Sequence, residues 1–156
     1  MIKLVRVDHR LLHGQVAFSW TKVLGTDCIL IANDAVAKDS LRMSALRMAK
    51  PEGIKLVMKS IEDSITALNS GVTDKYKLLI LIESVEDAHR LSEKVDVIKM
   101  INLGGAKLIE NKRQISKAFS VSEKDCELLR KMNDKGIRLE IQMVPDQPAK
   151  DVMDLI

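Results

Sequence analysis

Aromatic residues make up only 3% of this 156-residue chain, and nowhere does it approach the roughly 20 consecutive apolar residues that a bilayer-spanning helix needs. The opening residues, MIKLVRVD, lack the apolar core of a secretory signal, so a cytoplasmic protein is expected. Cysteine is scarce as well. Cys28 and Cys126 lie far apart and neither belongs to a CxxC pair, which argues against a disulfide framework or a cysteine-held zinc and reads both as small core residues. Neither sign of charge dominates: 25 basic against 22 acidic side chains leave a formal +3, with the two signs interleaved. With so few aromatics beside them, nucleic acid is not an expected partner. The densest basic stretches, 42–59 and 107–117, read as solvated faces, with docking of an acidic protein as the other reading. The two nucleotide-phosphate loops with clear signatures, GxxxxGKS/T and GxGxxG, are both absent.

What is present is an alternation of strand-like and helix-like patterns. Apolar strand patterns occur at 3–7, 28–32, 55–59, 77–82, 98–103, 114–119 and 138–144. Between them, helical patterns cover 15–24, 38–49, 61–70, 85–94 and 123–135, and a short helix is expected over 149–156 after Pro148. Ser122 reads as an N-cap, with Asp125 adding favourable negative charge in the first turn. With 46% hydrophobic residues the chain can bury one core, so residues 1–156 read as a single domain. Helical crossovers between apolar strands predict a three-layer α/β fold: a mostly parallel central sheet of about seven strands, with helices on both faces. QISKAF (114–119) follows no helical crossover and is the expected antiparallel or edge strand.

The chemistry concentrates in RVDHRLLHGQV (6–16), which holds His9 and His13, two of the three histidines in the chain. If 3–7 is a central strand, Asp8 to Gly14 form the loop at its carboxyl end, where open α/β sheets bind ligands. Free backbone N–H groups near Gly14 and Gln15, at the start of the following helix, together with the planar cation of Arg10, suit an anion. Asp8 can accept from one ring nitrogen of a histidine and so choose its tautomer, or it can hold Arg10. A neutral imidazole in that setting suits nucleophilic attack on phosphorus, with no metal and no other cofactor required. From residue types alone three readings of His13 stay open: a hydrogen-bonded structural histidine, a nucleophile, or a metal ligand with His9 at the i, i+4 spacing. The last is weakened because both residues precede the helix. Leu11 and Leu12 read as core anchors, Trp20 as core on the first helix, and His89 as a surface residue.

RVDHRLLHGQV resembles the RxDxRLxHGQ segment of the enzyme IIB component in the mannose/fructose/sorbose family of the bacterial sugar phosphotransferase system. ANDAVAKD (32–39), INLGG (101–105), RQISKAFSVSEKD (113–125) and LEIQMVPDQ (139–147) are similar to that family in the same order. The resemblance implies that His13 is the phosphorylated residue, at Nδ1. It would take a phosphoryl group from a IIA component and pass it to a sugar held by membrane IIC/IID components. It further implies that Arg10 serves phosphoryl binding, that Asp8 supports the loop, and that the protein associates peripherally with its membrane transporter; a homodimer is left open. His9 departs from the commonest form of the motif; the expectation is that it tunes docking or loop charge and is not itself phosphorylated. Asn33-Asp34 and Gly104-Gly105 could complete the pocket, or could serve only as an Asx turn and as flexible backbone. A phosphate-binding regulatory module of the same fold is the alternative to a carrier.

Overall fold

A computed structural model describes all of residues 1–156. Seven strands form the main sheet in the order β3-β2-β4-β1-β5-β8-β9. They are β1 (Ile2–Asp8), β2 (Cys28–Ala32), β3 (Lys55–Lys59), β4 (Leu78–Ile82), β5 (Met100–Gly105), β8 (Arg138–Ile141) and β9 (Lys150–Asp151). Every pairing is parallel except β8 with β9. The five α-helices are α1 (Thr21–Leu24), α2 (Ser40–Met48), α3 (Ile61–Ser70), α4 (Val85–Lys94) and α5 (Glu123–Asp134).

Strand alternation sorts the buried side chains into two clusters, as a sheet covered on both faces requires. Leu4, Ile29, Ile31, Leu79 and Leu81 meet Val16, Ala17, Trp20 and Leu46 on one face. Val5, Val7, Leu30, Ile80, Ile82, Ile101 and Leu103 meet α3, α4 and α5 on the other. Hydroxyl or carboxylate caps start the longer helices: Asp39 for α2, Ser60 for α3, Ser84 for α4 and Ser122 for α5. At α5 the expected cap is a full capping box, since Asp125 also accepts from the Ser122 N–H.

Three expected elements differ. QISKAF is not one strand of the main sheet: the chain turns at Lys117-Ala118, and β6 (Arg113–Ser116) pairs antiparallel with β7 (Phe119–Val121) in a separate two-stranded hairpin. The turn carries no Gly or Pro, so the run reads as continuous. The antiparallel strand of the main sheet is instead β9, inside the segment expected to be helical. There, Lys150–Asp151 pair with β8 and only Val152–Asp154 form a 3-10 turn, anchored by fully buried Val152. The first helix begins as a π-turn, Val16–Trp20, before α1. His89, expected at the surface, is half-buried, with Nε2 3.9 Å from Glu93.

The connection from β1 runs over one face towards β2, whereas that from neighbouring β5 passes through α5 on the other face towards β8. The chain therefore leaves the carboxyl ends of β1 and β5 over opposite faces, the switch point at which open α/β sheets have a crevice. Ile80→Ala, at a fully buried site in the centre of β4, should cost about 2–5 kcal/mol in urea unfolding. Val97→Ala, at an exposed position, should stay within about 0.5 kcal/mol; equal costs would contradict this placement of the core.

Candidate functional site

The RVDHRLLHGQV loop lies at that crevice, and its shape starts from two buried charges. Arg6 and Asp8 share the face of β1 that carries Leu4, and both side chains are fully buried. The Arg6 guanidinium donates to Asn102 Oδ1 (2.6 Å), Gln142 O (2.9 Å) and Met143 O (2.9 Å), and reaches Asp8 Oδ2 at 3.6 Å. Trp20 covers it, with the ring centroid 4.9 Å from Cζ, and donates its own N–H to Met143 O. Arg6 thereby ties β1, β5 and the segment after β8 to one charge. Burial lowers its pKa to about 10, partly offset by Asp8, so it remains a cation at neutral pH.

Gly104 has a steric purpose here. A Cβ at that position would fall on the Arg6 guanidinium, and one at Gly105 would come within 3.3 Å of Asp8 Oδ1. Both glycines belong to β5, so neither is a flexible loop residue.

Asp8 distributes its two oxygens. Oδ2 meets His13 Nε2 at 2.9 Å, and Oδ1 accepts from the Arg10 N–H at 3.0 Å, with Arg10 Nε at 3.4 Å. Burial would raise the Asp8 pKa, but the hydrogen bond with His13, the Arg10 N–H and the charges of His13 and Arg6 together hold it below the ordinary 3.8. Asp8 is thus a buried anion, and its contact with Nε2 favours the His13 tautomer whose Nδ1 lone pair is free. Nδ1 has no hydrogen bond within the protein and is not among the sealed polar atoms. Arg10, at 47% exposure, is open to solvent and shares the Asp8 carboxylate with His13.

The backbone between the histidines makes a left-handed turn at Leu11 (φ 57°), uncommon for a branched side chain. Full burial of Leu11 and its N–H bond to Asp8 O (2.9 Å) hold the turn. It brings His9 and His13 to different oxygens of Asp8, so the helical i, i+4 arrangement imagined for a metal does not form. No group of three or more His, Cys, Asp or Glu side chains is arranged to hold a metal ion, here or elsewhere.

Helical bonding begins with the Ala17 N–H to His13 O (2.9 Å), while the Gly14 and Gln15 N–H groups have no protein acceptor. Gly14 is exposed, outside the left-handed region, and a Cβ there would meet nothing. It therefore leaves open space next to His13 and is not required by the packing. Asn33 and Asp34 make no hydrogen bond to this loop. Asn33 Oδ1 closes a turn onto Val36 N–H while its amide donates to Glu83. Asp34 accepts from the Ile61 N–H and from Arg90, which also bonds Asp87. The Ile61 N–H and Arg90 lower the Asp34 pKa, while burial raises that of Asp87.

Sequence reasoning missed Arg6, Asn102 and Trp20 as supports of the site. The available signal was a charged and an amide residue, each interrupting an apolar strand.

Fold and site together define an α/β protein carrying a buried carboxylate, a histidine held by it and an open arginine at a strand-end crevice. The family model described as PTS system sorbose subfamily IIB component matches residues 2–156, and the chain belongs to that family. It is 35% identical over 156 residues to the PTS system mannose-specific EIIAB component of Escherichia coli (strain K12), covering 100% of this chain and 48% of that protein, so it spans about half the length of that relative. It is 30% identical to the PTS system fructose-specific EIIB component of Bacillus subtilis (strain 168), covering 99% of this chain and 95% of that protein. The crystal structure of the IIBSor domain of the sorbose permease from Klebsiella pneumoniae superposes with a TM-score of 0.92 at 30% identity, covering 99% of this chain and 94% of that one.

Two outcomes follow. Gly104→Ala should displace Arg6, shift the emission of the single tryptophan, Trp20, and cost about 3 kcal/mol or more of stability; unaltered fluorescence and stability would refute the cradle. Because the Asp8 pKa is depressed, its contribution to stability is present above the ordinary carboxylate range and is lost as pH falls through the folded value. Asp8→Asn should therefore lower stability by about 3–5 kcal/mol at pH 7, leaving Arg6 without its counter-charge, and by progressively less as pH falls below the ordinary carboxylate range, as followed by denaturant unfolding across pH.

Proposed function

We propose that this chain is the phosphoryl-carrying IIB component of a sugar phosphotransferase system, with His13 as the residue that carries the group. His13 Nδ1 attacks the phosphorus of a phosphohistidine on a IIA partner; the new P–N bond forms as the donor's P–N bond breaks, and that electron pair returns to the donor ring. The His13 ring becomes cationic, and Asp8 balances it through Nε2–H. Arg10 and the free Gly14 and Gln15 N–H groups face the phosphoryl oxygens as charge develops there. In the second step a sugar hydroxyl, held by membrane IIC/IID components, attacks the phosphorus. The P–Nδ1 bond breaks, its electron pair returns to the ring, and the hydroxyl proton passes to a base on the acceptor side. An open site suits this relay, because two partners must reach the same nitrogen in turn.

The observation that carries this reading is the 2.9 Å contact of Asp8 with Nε2, which leaves Nδ1 unpartnered, with Arg10 bound to the same carboxylate. The mannose-specific EIIAB relative, about twice as long, supports a IIA partner. No helix is long and apolar enough to cross a membrane, in keeping with a component that docks on a membrane partner.

The test is phosphoryl transfer from phosphoenolpyruvate through the general phosphotransferase proteins and a IIA component, read by intact mass and peptide mapping. One acid-labile phosphoryl group is expected on His13 and none on His13→Gln. Arg10→Ala should slow acceptance about 10²–10³-fold. Charged IIA with no phosphate on the unmodified chain would refute the carrier and favour a phosphate-binding regulatory module.

A further inference from the structure

A second imidazole faces the carboxylate that holds His13, from its other oxygen. The His9 N–H donates to Gly105 O (3.0 Å), which pins the residue against β5. Its Nδ1 lies 3.9 Å from Asp8 Oδ1, beyond hydrogen-bond range, and is buried with no partner at all. The ring also lines a cavity of about 180 Å³ beside the site. Charged groups reach this region from every side. Asp8 faces His9 within its own loop, with Arg10 and His13 bonded to Asp8 and Arg6 approaching Asp8 from β1. Glu83 lines the cavity after β4, Lys107 and Lys112 after β5, and Asp125 from α5, where it pairs with Lys112 at 3.6 Å.

Building on the reading of His13 as the phosphoryl carrier, we infer that His9 is a positioning residue that acts on His13 through Asp8. Neutral His9 leaves Oδ1 to Arg10. Protonated His9 carries its charge and a donor towards Oδ1, so the carboxylate shares its negative charge between two imidazoles. Its hold on the His13 Nε2–H weakens. Since the phosphorylated ring is cationic and depends on that carboxylate, protonation of His9 makes the phosphoryl group less firmly held and more readily given up. His9 thereby couples the phosphoryl-transfer equilibrium to pH through its own protonation.

Two measurements on the full chain test this, with His9→Gln and His9→Asn each compared with the unmodified protein between about pH 5.5 and 8.5. The first uses imidazole nitrogen NMR of the unphosphorylated protein and needs no phosphoryl transfer. The His13 Nε2 signal should show an inflection coinciding with the titration of His9, absent in both variants; superimposable His13 curves in all three proteins would overturn the coupling. The second measures the equilibrium between phospho-IIA and this chain. The pH dependence of the donor cancels in the ratio of unmodified to variant protein, and that of His13 is corrected with the NMR titration of each protein. That ratio should fall about three- to tenfold from pH 8 to pH 6; a constant ratio would overturn the proposal. Should His13 accept no phosphoryl group in any of the three, the carrier reading fails, while the NMR comparison still decides the coupling.

Discussion

The pairing of Arg6 with Asp8 is the constraint on which the rest of the site depends. Two charges on one face of a central strand have lost their water, and each needs replacement partners at short range. Arg6 finds Asn102 and two carbonyls after β8, and Asp8 finds the Arg10 N–H and His13. Satisfying these demands fixes three things at once: the residue size allowed at Gly104, the path of the segment after β8, and the direction in which the His13 ring points. The open, chemically available nitrogen is a consequence of the closed one.

Topology supplies the place for this network. β1 lies between β4 and β5, and its chain leaves over one face while that of β5 leaves over the other, so the end of β1 stands beside a gap with no connection across it. The left-handed turn at Leu11 then lets the loop double back over Asp8 before the helix begins. Strain of this kind costs about 1–3 kcal/mol and persists where burial over-determines the conformation, as the fully buried Leu11 does here. Local discomfort and a preorganised histidine have the same origin.

Much of the architecture is legible from periodicity alone. Runs such as CILIA and LLILI, apolar on both parities and flanked by helical patterns, can only be central parallel strands, and β2 and β4 are buried at every position. The Ser122 cap before α5 is legible because a hydroxyl two or three residues ahead of free N–H groups is a local arrangement, and in the structure Ser60 and Ser84 cap α3 and α4 in the same way. The hairpin of β6 and β7 is not legible: its turn at Lys117-Ala118 has no breaker residue, and what separates the strands is a long-range bond from the Ala106 N–H to Ala118 O. Likewise the terminal segment has a helical composition, but a neighbouring edge strand offered better hydrogen bonding than so short a helix could provide.

The residue types of the loop, the order of the elements and the strand-end position of His13 are determined by sequence, because each follows from spacing along one strand and the helix after it. Only the tertiary structure decided that Asn33 and Asp34 are spent on Glu83 and Arg90, that Gly104 makes room for Arg6, and that the two histidines address opposite oxygens of one carboxylate. Those facts depend on side chains brought together from distant segments of the chain, where the competition among buried charges for a few partners is settled by packing and not by any local preference of the backbone.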